Sequence, residues 1–191
     1  MISKAMSFLT GFLNRDLKLA YGLDHDIVVA SSLVNPDGSI TDTIQNKIVL
    51  SVINMEHETY MKSHNHYITE GGDTFGKVAP PVHLNVYLLV SANYNSKNYL
   101  EALKMLSSVI TTLQSHPFFS KQDHPDMQDP LSKLTLEIMN LPVNELSHIW
   151  SGIGAKYVPS LLYKMRMITL ADTKIRKEIP GITGLEGKTK S

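Results

Sequence analysis

The stretch LPVNELSHIWSGIGAKYVPSLLYKMRMITL, residues 141–170, sets the fold. Leu146, Ile149, Trp150 and Ile153 recur at helical spacing and predict a short helix with one apolar side. The glycines at 152 and 154 end it, and Pro159-Ser160 opens a strand. Along that strand Leu161, Tyr163, Met165 and Met167 alternate with Leu162, Lys164, Arg166 and Ile168, so one side is apolar and the other carries two cations. A helix delivering the chain into a half-buried strand reads as packing and assembly machinery, without a catalytic kit.

Upstream, Ile2, Met6, Leu9, Leu13 and Leu17 predict an amphipathic helix over 2–22, with Ser3 as its cap and Gly22 as its stop. A β-branched run from Ile27 leads to the turn Asn35-Pro36-Asp37-Gly38. A second strand covers about Lys47 to Glu58, apolar on both sides in its first half and therefore central there. Val82, Leu84, Val86, Leu88 and Val90 alternate as a third. Ser96 can cap a helix over about 97–115, with Tyr99, Leu103, Leu106, Ile110 and Leu113 on its buried stripe. Leu134, Leu136 and Ile138 form a fourth strand after a polar connection at 117–131. Residues 60–81, with three glycines and two prolines, read as a long loop. These elements predict an α+β fold: a single mixed, mainly antiparallel sheet packed by two longer helices and one short helix. The expected division is a domain over 1–170 and an extended C-terminal arm over 171–191.

Of 191 residues, 42% are hydrophobic and 19% charged, enough for a sizeable core. Lys plus Arg and Asp plus Glu each number 18, so bulk charge gives no reason to expect nucleic acid or an anionic membrane as partner. There is no cysteine, which removes disulfides, thiolate nucleophiles and Cys-ligated zinc. Lys4, Arg15, Asp16 and Lys18 interrupt the N-terminal apolar pattern, which argues against a signal peptide.

Three constellations could carry chemistry. His57, His64, His66 and His83 fall in or beside the long loop, and with Glu56 or Glu58 could form a metal site. No HExxH or helical His pair supports it, and a solvated His-rich loop is the plainer reading. Asp24-His25-Asp26 could tune a general base, yet no nucleophile lies near in sequence and the triplet suits a polar turn. Gly152-Ile153-Gly154-Ala155-Lys156 imitates a phosphate loop, but it follows a helix, whose C-terminus carries the negative end of the dipole. Lys164 and Arg166 are either solvated edge charges or an inter-subunit contact. Trp150 shares a stripe with Leu146 and Ile149 and reads as a core anchor.

Several blocks taken together resemble a known family. They are VVAS at 28–31, NPDG at 35–38, NKIVLSVINME at 46–56, PPVHLNVYLLV at 80–90, NYLEAL at 98–103, IW at 149–150, YVPSLLY at 157–163 and RM at 166–167. Their order over about residues 1–170 resembles the tube-terminator, or cap, proteins of extracellular contractile injection systems, the phage-tail-like particles of the antifeeding-prophage and virulence-cassette type. The resemblance implies a tail-terminator-like, non-enzymatic structural protein needing no cofactor. It implies a homo-hexameric ring that ends the inner tube and anchors the last sheath layer, with tube protein, sheath protein and a second related cap subunit as partners. It implies assembly in the bacterial cytoplasm and release as part of the extracellular particle. Within that reading, the arm would reach a neighbouring cap or sheath subunit. Ile175, Ile179 and Ile182 would be its apolar anchors, and Lys174, Arg176 and Lys177 its charged contacts. The 60–81 loop is a second candidate interface. The alternatives are a small metal-dependent enzyme using the His-rich 57–83 region and a generic oligomeric ligand-binding module.

Overall fold

The structure is a computed structural model that describes residues 1–39, 41–58, 66–70, 74–78, 83–169 and 177–180. Helix α1 spans Ile2–Tyr21 and buries Met6, Leu9, Leu13 and Leu17 of the expected stripe, with Ala5 and Phe8 beside them, while Ile2 is only half-buried. Gly22 closes it at φ 63°, sending its N–H to the Lys18 carbonyl at 2.9 Å. Ser3 is not its cap; the helix begins at Ile2, and no side chain caps that end. Strand β1 is Val28–Ala30, β2 is Lys47–His57, β3 is His66–Glu70, β4 is Thr74–Val78 and β5 is His83–Asn93. Helix α2, Tyr99–Ser115, follows a 3-10 turn over Ser96–Asn98. Asn95 caps that turn in place of Ser96, its side chain accepting the Lys97 N–H at 3.1 Å. Ala102, Met105, Leu106, Val109 and Leu113 face inward, while Tyr99, expected inside, is 52% exposed. Then come β6 (Phe118–Ser120), β7 (Leu131–Met139), α3 (Val143–Ile153), β8 (Ser160–Thr169) and β9 (Lys177–Pro180).

Six strands form one sheet in the order β1-β2-β5-β8-β7-β6. β1 pairs with β2 in parallel, and the other neighbours are antiparallel. The fold is therefore α+β, a mixed and mainly antiparallel sheet with three helices, as expected. β1 reaches only Leu50 of β2, which explains why the first half of β2 is apolar on both sides and the second half is not.

Four strands arise where the sequence predicts none. The expected 60–81 loop holds the hairpin β3–β4, and the C-terminal arm supplies β9, which pairs antiparallel with β4. The glycines and prolines of 60–81 flank short β-competent runs, HYITE and TFGKV, and mask them in a windowed reading. β6 sits inside the expected connection at 117–131.

The main sheet has two unequal sides. On one, α1 and α2 cover Leu50, Val86, Leu88, Val90, Leu134, Tyr163, Met165 and Met167. Asn14 ties α1 to the sheet. Its Oδ1 accepts the Ile27 and Val28 N–H groups, each at 2.9 Å, and its Nδ2 donates to the Val28 carbonyl at 2.8 Å. On the other side, a smaller cluster of Leu33, Ile44, Val49, Leu89 and Trp150 lies under α3 and the segment after β1.

Candidate assembly interface

The side of the sheet beneath α3 is covered only in part. Val49 and Leu89 are buried there, but farther along the strands the same side carries a polar band in two cross-strand rungs. One rung runs Asn54–Tyr87–Lys164–Glu137 and the next runs Glu56–Asn85–Arg166–Thr135. Strand alternation dictates this grouping: Tyr87 and Lys164 lie two residues from the buried Leu89 and Leu162 on the same side.

Lys164 and Arg166 thus come together, but not as edge charges. β8 lies between β5 and β7, so the two cations project from an interior strand. The Tyr87 hydroxyl donates to Glu56 Oε2 at 2.9 Å, and Lys164 Nζ stands 6.0 Å from the Tyr87 ring centroid. The hydrogen bond to the Glu56 carboxylate, reinforced by burial and its charge, pushes the Tyr87 phenol above its ordinary value. Arg166 Nη2 donates to Glu137 Oε2 at 3.4 Å; both side chains are more than half exposed, so the pair contributes little to stability. Asn85 donates to Glu58 Oε2 at 2.9 Å. Carboxylates and cations here lie side by side around the Tyr87 ring.

Beside the band, between β2 and helix α3, runs an open groove of about 1000 Å³. Ile149, Gly152 and Ile153 form its α3 wall, and Ile53 and Leu162 lie on the sheet side. Trp150 makes this wall rigid. It is buried against Leu33, Val49 and Leu89, and its ring meets that of Tyr157 edge-on at 5.6 Å between centroids.

The other sequence candidates fall elsewhere. Asp26 pairs with Lys18 at 2.7 Å and its carbonyl accepts from Lys47, so the Asp24-His25-Asp26 triplet is an exposed polar turn. Gly154, at φ 76°, takes the left-handed position that ends α3, which confirms the glycine stop. Among the described residues, no group of three His, Cys, Asp or Glu side chains is placed to hold a metal ion. His64, Lys174, Ile175, Arg176 and Ile182 lie outside the described residues. Lys177 and Ile179 are in β9, in register with Lys77 and Phe75 of β4, so that part of the arm folds onto its own chain. The loop and the arm, read from sequence as two interfaces, are parts of one three-stranded sheet. Asn14 and the edge-to-edge rungs escaped the sequence reading, because neither has a local signature.

The fold is an α+β sheet with helices α1 and α2 on one side and a partly open side beneath α3. The Pvc16 N-terminal domain model matches residues 5–184, and the chain belongs to that family. Two solved structures share its fold. One is the sheath/tube terminator of the PVC extracellular contractile injection system in its extended state, with a TM-score of 0.66 at 12% identity, covering 100% of this chain and 64% of that one. The other is the tube-terminating cap of the anti-feeding prophage, with a TM-score of 0.59 at 14% identity, covering 97% of this chain and 59% of that one. The chain spans about three-fifths of the length of those structures. No curated protein matches the chain. Among the described residues, no helix is long and apolar enough to cross a membrane.

Proposed function

We propose that this protein is a structural cap of a contractile, phage-tail-like injection particle. Six copies form a ring that ends the inner tube and anchors the last sheath layer, and no catalysis is involved. The observation that carries the reading is the fold shared with a sheath/tube terminator over the whole chain, joined to membership of the Pvc16 N-terminal domain family. The half-open sheet face supports it physically, since paired charges next to an apolar groove suit contact with other subunits. The partners in this reading are tube protein, sheath protein and a second related cap subunit. The particle assembles in the bacterial cytoplasm and carries the cap out with it.

Within this reading Lys164 and Arg166 belong to the face that meets a partner subunit. The C-terminal arm over 171–191 works together with the β3–β4 hairpin as one docking unit, through Lys174, Ile175, Arg176, Lys177, Ile179 and Ile182. Strand addition and side-chain anchoring are both open to such a unit. The test is particle assembly in producing cells that lack this protein. Tubes of uncontrolled length, or particles that shed their sheath, support the reading. Particles of normal length with intact sheath overturn it.

A further inference from the structure

The two edges of the main sheet differ in a way that fits one copy to the next. One rung crosses five of the six strands, β2 to β6, on the side that carries α3: Glu56–Asn85–Arg166–Thr135–Phe118. At its β6 end stands Phe118, 55% exposed, with Lys133 Nζ 5.7 Å from its ring centroid. Strand alternation turns Phe118 outward, because the adjacent Phe119 is fully buried against Phe8 and Phe12, with centroids at 5.3 and 4.9 Å. Toward the other end the groove opens between β2 and α3, walled there by Ile53, Ile149 and Ile153 with the exposed Glu56 in its lining, and runs inward to Leu162, Met139 and Leu141. One edge therefore presents an aromatic knob and a cation, and the opposite edge presents an apolar groove and a carboxylate.

We propose that Phe118 of one copy of this chain seats in the groove at the β2 edge of the next, with Lys133 brought to Glu56 across the seam. The occupant is a second copy because knob and groove sit at opposite ends of one sheet, on one side, with matching charge. Such a contact is head-to-tail, and it closes into a ring or runs on as a filament according to its rotation. Side chains hold the seam more than a backbone ladder does. Beyond Leu50, among the described residues, no strand pairs with the outer edge of β2, but that edge is bulged between Val52 and Asn54. The Asn54 side chain already accepts the Met55 N–H at 2.8 Å, which blunts strand addition there. The inference rests on the assembly reading above for the existence of a ring, and it adds the surfaces that join its members.

The chain has no cysteine, so introduced thiols report alone. Thr135 is the cross-strand partner of Phe118 on the same side, and a Cβ at Gly152 meets nothing within 4 Å, so T135C and G152C keep the Phe118 ring and leave the core untouched. A short bis-maleimide crosslinker applied to the full-length T135C/G152C variant gives a ladder that passes two copies. T135C and G152C applied singly give monomers, and an equal mixture of the two stops at dimers. No product beyond monomer from the double variant overturns the proposal. Dimers from either single variant as abundant as those from the mixture also overturn it, since they report a two-fold contact. A ladder without binding to tube protein keeps the seam and sinks the cap reading, and tube binding without a ladder does the reverse.

Discussion

Replacing Trp150 with alanine separates two opposing effects at one site. The ring is 5% exposed and fills the small core between α3 and the sheet. Truncating a buried Trp to Ala costs about 3–5 kcal/mol in lost burial and cavity formation. Its indole N–H is buried and finds no hydrogen-bond partner among the described residues. An unmet buried donor costs about 1–3 kcal/mol, and that cost vanishes with the indole. The net loss for W150A is therefore about 2 kcal/mol, or roughly 4–8 °C in Tm for a domain of this size. W150F keeps most of the ring and removes the unmet donor, so it costs under about 1 kcal/mol. Urea unfolding followed by far-UV circular dichroism gives both values, since the only Trp in the chain is the one removed. W150F as costly as W150A would show that the indole N–H is satisfied and that the reasoning about this site is wrong.

Three further outcomes follow from other contacts. N14L, of similar bulk, strips three hydrogen bonds from Ile27 and Val28 and leaves their buried backbone groups unmet; we expect a loss of about 2–4 kcal/mol in urea unfolding, against under about 0.5 kcal/mol for an exposed control such as L19Q. Burial pushes the Tyr163 phenol up to about 12, and its hydroxyl has no partner among the described residues. The folded-state value lies above the unfolded one, so the contribution is present below about pH 10 and is lost as pH rises toward about 12. Y163F should flatten that part of the stability–pH curve and gain about 1 kcal/mol at neutral pH. G154A forces an L side chain to φ 76° and should cost about 1 kcal/mol by the same unfolding assay, with α3 otherwise intact.

What could be read from sequence were features repeated at short range. The stripes of α1 and β8 repeat every three or four residues and every two, and they came through correctly. So did the turn at Asn35–Gly38 and the stops at Gly22 and Gly154, where only a few residue types fit the backbone. What escaped depends on contacts distant in the chain. β6 is three residues long and is recognisable only once β7 lies beside it. β3, β4 and β9 are short runs between glycines and prolines, joined by a pairing about 100 residues apart in the chain. Lys164 and Arg166 sit on the polar side of their strand, as its alternation predicts. The edge reading of that strand fails, because nothing local says that β7 returns to cover its outer side. Asn14 looks like a polar interruption of an amphipathic helix, and only the fold shows that it serves the backbone of β1.

The most direct test of the cap reading is electron microscopy of reconstituted inner tubes, incubated with the full-length protein and averaged at their ends. The account predicts extra density at one end of each tube, made of six copies around the tube axis, and tubes that stop elongating once it is present. Bare tube ends that continue to grow at saturating protein would contradict it.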